Sequence, residues 1–258
     1  MRYFYAKAKG NGNLIDLKQG DCLELMKDIP DKSVDMILCD LPYGVTSRNK
    51  WDSIIPFEPL WESYHRVIKD NGAIVLNCQQ PFTTYLISSN IKEFKYCWVW
   101  YKKQCSGFLN SKKQPLRNCE DIAVFYKKQP TYNPQMEIGK PYIKKAVTNG
   151  DGKNYGKFDR VGEVAVNEGT RFPRSVIKIS NDNHKSLHPT QKPIELLEWL
   201  IYTYTNENET VLDNCMGSGS TGIACINTNR NFIGIELDNT YFEIAKKRIE
   251  EVNSKSKT

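Results

Sequence analysis

The chain has 258 residues, 40% hydrophobic and 26% charged, with a formal net charge of +6, enough to bury the core of one large domain or a domain with an insertion. No stretch approaches the roughly 18 uncharged apolar residues of a membrane span, and residues 1–7 lack the apolar segment of a secretory signal, so a cytoplasmic protein without a membrane partner is expected. The eight cysteines are scattered without a C-x-x-C pair, and none stands at ligand spacing from His65, His184 or His188, which favours reduced thiols over disulfides and excludes a recognisable metal site.

Leu14-Ile15-Asp16-Leu17 reads as a short strand, and Gly20-Asp21-Cys22 leads into a helix through Leu23, Leu25 and Met26 that Pro30-Asp31 ends. Residues 34–39 form the next strand, with Cys39 as a core thiol, and deliver Asp40-Leu41-Pro42-Tyr43 at its C-terminal end. In open α/β sheets ligands bind at that edge. A carboxylate beside an aromatic ring suits a flat, polar substrate such as a nucleobase, although a strand followed by a proline turn has the same sequence. A helix with Leu60, Trp61, Tyr64, Val67 and Ile68 on one face, and His65 on its surface, is expected to stop at Asn71-Gly72. Strands follow at 73–76, 96–101 and 121–126.

Between residues 129 and 180 the periodicity fades and six of the sixteen glycines fall between Gly139 and Gly169, which predicts a loop-rich insertion outside the sheet. Residues 102–180 carry 16 Lys/Arg against 7 Asp/Glu, a net of +9 that leaves the rest of the chain at −3. Positive charge concentrated in this way suits a polyanion partner. Basic and aromatic residues interleave at 102–117 and 46–51, as in grooves that bind nucleic-acid strands.

Regular order returns with a helix opened by Pro193, a strand at 211–212, a helix at 220–227, a strand at 231–235 and a closing helix at 241–252. Strands alternating with helices predict an α/β fold with a doubly wound, mostly parallel sheet. Gly217, Gly219 and Gly222 satisfy G-x-G-x-x-G between a strand and a helix, and Glu236 ends the next strand, at the distance expected of an acid that bonds a ribose. A nucleotide-like cofactor is therefore expected. A dinucleotide is disfavoured, because only 36 residues follow Gly222 and Asp213 would repel a pyrophosphate while attracting an ammonium group.

Together these segments resemble the β-class DNA amino-methyltransferases, whose motifs are circularly permuted. Asp40-Leu41-Pro42-Tyr43 is similar to the family's catalytic [Asp/Asn/Ser]-Pro-Pro-Tyr, with Leu41 in place of a proline. Residues 213–219 resemble its cofactor loop, usually Asp-Pro-Phe-x-Gly-Ser-Gly, with Asn214 and Cys215 replacing Pro and Phe. His188-Pro189-Thr190-Gln191-Lys192-Pro193 just ahead of that loop is the family's most specific signature, and Gly20-Asp21 and Gly234-Ile235-Glu236-Leu237-Asp238 also fit. The resemblance covers residues 12–128 and 172–252. It implies a Rossmann-like methyltransferase sheet in a catalytic half (1–128), a target-recognition insertion (129–180) and a cofactor-binding half (181–258).

The same resemblance implies S-adenosylmethionine as cofactor. Glu236 would bind its ribose, Asp21 its adenine, and Asp213 with the backbone of Gly217 and Gly219 its methionine end. Ser218 and Thr221 belong to the same loop, and Lys192 would pair with the cofactor carboxylate. Helix-capping by Asp21 and a surface role for Lys192 remain alternatives. The implied reaction is methyl transfer to the exocyclic N6 of an adenine flipped out of double-stranded DNA, with Asp40 and the Leu41 carbonyl as acceptors, Pro42 restricting Leu41 to an extended backbone, and Tyr43 stacking on the base. Implied partners are duplex DNA, a second copy of the chain and a cognate restriction enzyme. Cytosine N4, an RNA or protein substrate, and a catalytically silent DNA-binding protein are the alternatives.

Overall fold

The computed structural model describes residues 2–7, 12–44, 53–145, 164–181 and 191–255. In chain order the elements are β1 (Arg2–Lys7), β2 (Leu14–Gln19), α1 (Cys22–Leu25), β3 (Val34–Asp40), α2 (Phe57–Val67), β4 (Ile68–Cys78), α3 (Phe82–Ser89), β5 (Phe94–Ser106) and β6 (Arg117–Phe125). They continue with β7 (Glu137–Ile138), β8 (Tyr142–Lys145), β9 (Val164–Asn167), β10 (Thr170–Arg171), β11 (Val176–Lys178), α4 (Ile194–Tyr204), β12 (Thr210–Asp213), α5 (Ser220–Asn227), β13 (Asn231–Glu236) and α6 (Asn239–Lys255).

Among the described residues, nine strands make one mixed sheet in the order β1-β2-β13-β12-β3-β4-β6-β5-β11. The five strands from β2 to β4 run parallel, whereas β6 is antiparallel to both β4 and β5. Successive side chains of a strand point to opposite faces, so β3 sends Met36 and Leu38 into one core and Ile37 and Cys39 into the other. The first core lies under α4, α5 and α6 and includes Leu197, Ile201, Ile223 and Phe242. The second lies under α1, α2 and α3 and includes Leu25, Leu60, Tyr64 and Phe82. Apolar residues on both faces of β3 and β12 follow from helices covering both sides. This is a doubly wound, Rossmann-like sheet.

Several elements differ from the expectation. Helix α2 stops at Val67 rather than at Asn71-Gly72, because Ile68 is already paired with Val34 in the sheet. Gly72 lies inside β4, where a Cβ would come within 2.8 Å of the Asp35 carbonyl, so its glycine answers to strand crowding rather than to a helix end. The region expected to lie outside the sheet contributes β11, which adds parallel to β5 through Val176, Ile177 and Lys178. The strands expected at 96–101 and 121–126 are longer, because β5 and β6 form one antiparallel ladder.

The chain divides into two compact units, Met1–Asn133 with Ser175–Thr258, and Pro134–Arg174. Within the second, β7 pairs with β10 and β8 with β9, both antiparallel, so its described part is built of short ribbons. Among the described residues no helix is long and apolar enough to cross a membrane.

Candidate active site

Five neighbouring parallel strands end side by side along one edge of the sheet. β2 leads into Gly20-Asp21, β13 ends on Glu236, β12 on Asp213, β3 on Asp40, and β4 finishes with Asn77 and Cys78. From β12 the chain continues to β13 on one side, and from β3 to β4 on the other. The pair therefore marks the reversal of strand order where open α/β sheets form a crevice. A cavity of about 930 Å³ opens there. Asp21, Asp40, Leu41, Pro42, Tyr43, Lys192, Asp213, Gly217, Ser218, Thr221 and Glu236 all line it.

At one end, the Tyr43 hydroxyl donates to Asp40 Oδ1 at 2.6 Å, and Lys192 Nζ donates to Asp40 Oδ2 at 2.6 Å. The Tyr43 ring stacks on Phe82, with centroids 5.1 Å apart and planes 29° from parallel. Burial, with Asp40 and Glu120 beside it, raises the Tyr43 hydroxyl well above the usual tyrosine value, so it stays a donor. Leu41 is buried with the α1–α3 core, which anchors the backbone between the acid and the ring.

Lys192 is buried, which alone would lower its pKa, but Asp40 and Glu120 outweigh burial and raise it. Its ammonium lies 3.4 Å from Glu120 Oε2, and Lys102 bonds Glu120 Oε1 at 2.7 Å. Burial opposes the Glu120 charge, yet Lys192 and Lys102 hold its carboxyl below the ordinary glutamate value. Glu120 and Lys102 were missed as site residues in the sequence. Lys102 reads there as one more basic residue facing a polyanion, but it is buried and paired. Lys192, expected on a cofactor carboxylate, lies against Asp40 in this structure.

At the other end, Asp213 accepts from Thr221 Oγ1 at 2.6 Å and from the Cys215 N–H at 3.1 Å. Burial raises its carboxyl to about 6 against the help of Thr221, Cys215 and Cys39. All of these donors are neutral, so the cavity wall holds a buried anion suited to a cationic ligand. Glu236 accepts from the Gly217 N–H and the Asp238 N–H, both at 2.8 Å, while burial raises its carboxyl. The Asp21 carboxylate caps α1 by accepting from the Leu23 N–H at 2.8 Å, and the residue also lines the cavity.

The loop glycines divide by role. Gly217 has φ +51° and open space where a Cβ would stand, on the cavity wall. Gly219 (φ +79°) does not line the cavity; its Cβ would meet Ala245 Cβ at 2.9 Å, so it serves the close approach of α5 and α6. Ser218 is tied down by Arg248, which donates to its Oγ at 3.0 Å. Asn214, where the resemblance leads one to expect proline, accepts a buried 2.6 Å bond from the Tyr64 hydroxyl, a link invisible across 150 residues of sequence.

Cys39 is a buried thiol that burial pushes up to about 12, and His65 is an exposed helix residue paired with Glu93 at 2.8 Å. His184, His188, Pro189, Thr190 and residues 46–51 lie outside the described residues. Among the described residues no group of three or more His, Cys, Asp or Glu side chains is arranged to hold a metal.

This arrangement agrees with a family model, N6_N4_Mtase, described as DNA methylase, which matches residues 34–247. The chain belongs to this DNA methylase family. It is 28% identical to the Type II methyltransferase M.HpaI of Haemophilus parainfluenzae, over 89% of this chain and 72% of that relative. It is 30% identical to the DNA adenine methyltransferase YhdJ of Escherichia coli, over 90% of this chain and 81% of the relative. Among solved structures, the M1.HpyAVI–SAM complex aligns with TM-score 0.61 and 28% identity, over 91% of this DNA methylase and 99% of the other chain. The PvuII cytosine-N4 methyltransferase aligns with TM-score 0.66 at 14% identity over 98% and 96%, a likeness of fold alone.

Proposed function

We propose that this DNA methylase transfers a methyl group from S-adenosylmethionine to the exocyclic N6 of an adenine flipped out of double-stranded DNA. The observation that carries the reading is a single cavity with an aromatic–carboxylate pair at one end and buried carboxylates at a glycine loop at the other. The residues fit the cofactor: Asp213 is a buried anion with neutral donors, Glu236 ends the neighbouring strand β13, Asp21 follows β2 one strand further along, and Gly217 leaves the wall open. When bound, S-adenosylmethionine supplies an electrophilic methyl group on a sulfonium. Asp213 would face its positive charge, Glu236 its ribose and Asp21 its adenine.

The exocyclic nitrogen is a weak nucleophile because its lone pair is delocalised into the ring. Acceptance of its hydrogens by the Asp40 carboxylate and the Leu41 carbonyl localises that lone pair, and Asp40 is the acceptor for the proton released as the N–CH₃ bond forms. Tyr43, backed by Phe82, would hold the ring plane. Alignment of base and cofactor then supplies much of the rate, and the target nitrogen is reachable only after the base leaves the stack.

Adenine rather than cytosine is favoured by the acid at position 40 and by the similarity to YhdJ. A circularly permuted, β-class order is supported by the catalytic strand end preceding the glycine loop by about 170 residues. The unit Pro134–Arg174 is assigned to target recognition. The β5–β6 hairpin, whose Ser106 and Arg117 line the cavity, would meet the duplex with exposed Lys103, Lys112 and Lys113 and with Phe108 and Leu109, 73% and 85% exposed, as an apolar wedge. The similarity to Type II methyltransferases supports a cognate restriction enzyme as partner.

The test is transfer of labelled methyl from S-adenosylmethionine to unmethylated genomic DNA, followed by digestion to nucleosides. N6-methyldeoxyadenosine is expected, and its absence from Asp40→Ala reactions. N4-methyldeoxycytidine would move the assignment to cytosine, and label on RNA or protein alone would overturn it.

A further inference from the structure

Resting on this reading, the geometry around Asp40 points to a second task for Lys192 and to a role for Glu120. Both Asp40 oxygens already carry a donor, Tyr43 Oη on one and Lys192 Nζ on the other, each at 2.6 Å. The Lys192 ammonium also lies over the Tyr43 ring, 5.9 Å from its centroid. Lys192 thus stands between the acid and the ring assigned to the base, on the carboxylate that has to accept the amino hydrogen. A cation there competes for Asp40's lone pairs and weakens it as an acceptor.

Glu120 offers that cation another place. Its Oε1 is held by buried Lys102 at 2.7 Å, which fixes the side chain. Its Oε2 is buried, has no hydrogen-bond partner among the described residues, and lies 3.4 Å from Lys192 Nζ. A shift of less than about 1 Å converts this approach into a full charge-assisted hydrogen bond of ordinary length. The ammonium remains paired throughout, so the move avoids leaving a buried charge uncompensated.

We propose that Lys192 caps Asp40 while the pocket holds no base and passes to Glu120 Oε2 as the base docks, with Glu120, anchored by Lys102, as the positioning residue that receives it. No bond other than hydrogen bonds changes in this step. The result is that Asp40 becomes a strong acceptor only when the amino group is in place.

The test compares wild type, Glu120→Gln, Glu120→Asp and the double variant Glu120→Gln/Lys192→Gln. Glu120→Gln leaves Lys192 locked on Asp40, so kcat falls at least tenfold while KM for DNA and Kd for S-adenosylmethionine stay within threefold. Removing the locked lysine in the double variant restores kcat at least threefold over Glu120→Gln. Glu120→Asp, which keeps the charge but shortens its reach, gives an intermediate kcat, and it takes over the comparison with its own Lys192→Gln partner if Glu120→Gln does not fold. A Glu120→Gln enzyme within twofold of wild type, or a double variant that does not recover, overturns the proposal.

A second arm needs no turnover. Adenosine titrated into protein saturated with S-adenosylhomocysteine binds at least fivefold more weakly to Glu120→Gln than to wild type, and the double variant reverses the loss; equal affinities overturn the assignment. Failure of the wild type to methylate DNA would instead strike the proposed function, and the adenosine arm would still judge Glu120.

Discussion

Asp213 gives a prediction whose size follows from its surroundings. Its carboxyl titrates near 6 in the fold because burial penalises the charge, against 3.8 for a free aspartate. That gap corresponds to roughly 3 kcal/mol of destabilisation once both folded and unfolded chains are ionised. Between these two pH values the folded chain binds a proton that the unfolded chain does not, so stability falls as pH rises through this window and levels off above about 6. Below about 3.8 both states are protonated and the penalty is gone. Acidifying from pH 8 to pH 5 should therefore return roughly 1 kcal/mol from this group alone.

Asp213→Asn keeps the shape and an acceptor oxygen but cannot titrate. Urea unfolding of wild type and variant at pH 8 and at pH 5 isolates the effect, because the other carboxylates cancel in the difference. The variant's stability relative to wild type should be higher at pH 8 than at pH 5 by roughly 1 kcal/mol. A difference that does not change with pH, or that changes in the opposite sense, refutes the account of Asp213 as a costly buried anion.

If that anion awaits a cationic cofactor, the Kd of S-adenosylmethionine measured by calorimetry should be flat from pH 8 to about 6 and weaken by up to tenfold per unit below; an unchanged Kd at pH 5 would contradict this. Gly219→Ala combines a left-handed backbone with a Cβ 2.9 Å from Ala245 and should cost about 2–4 kcal/mol in urea unfolding. Gly217→Ala, with open space around its Cβ, should cost about 1 kcal/mol yet weaken the cofactor more than Gly219→Ala does. Tyr64→Phe strands the Asn214 oxygen in the core and should cost about 1–3 kcal/mol, measured by the same unfolding assay.

The sequence was most legible where the local pattern and the fold agree. An apolar run ending in an acid is a buried parallel strand delivering a side chain to the sheet edge, and this pattern placed Asp40 and Glu236 at the cavity. The glycine loop was legible for the same reason, although only the packing of α5 on α6 separates Gly219 from Gly217. Glu120 was illegible because its meaning depends on the pairing of β6 between β4 and β5, and on Lys192, 72 residues away in the chain. Asn71-Gly72 misled because a helix-stop signal and a crowded strand position both select glycine. Strand β11 was hidden because three residues adding to an edge through backbone bonds need no long apolar pattern.

Methylation of adenine in DNA by the Asp40 end of the cavity is read out by expressing the chain in a host lacking DNA methylation and sequencing the DNA with base-modification detection. N6-methyladenine is expected at one recurring motif, absent when Asp40→Ala is expressed at the same level. Unmodified DNA from cells holding folded protein that binds S-adenosylmethionine would contradict it.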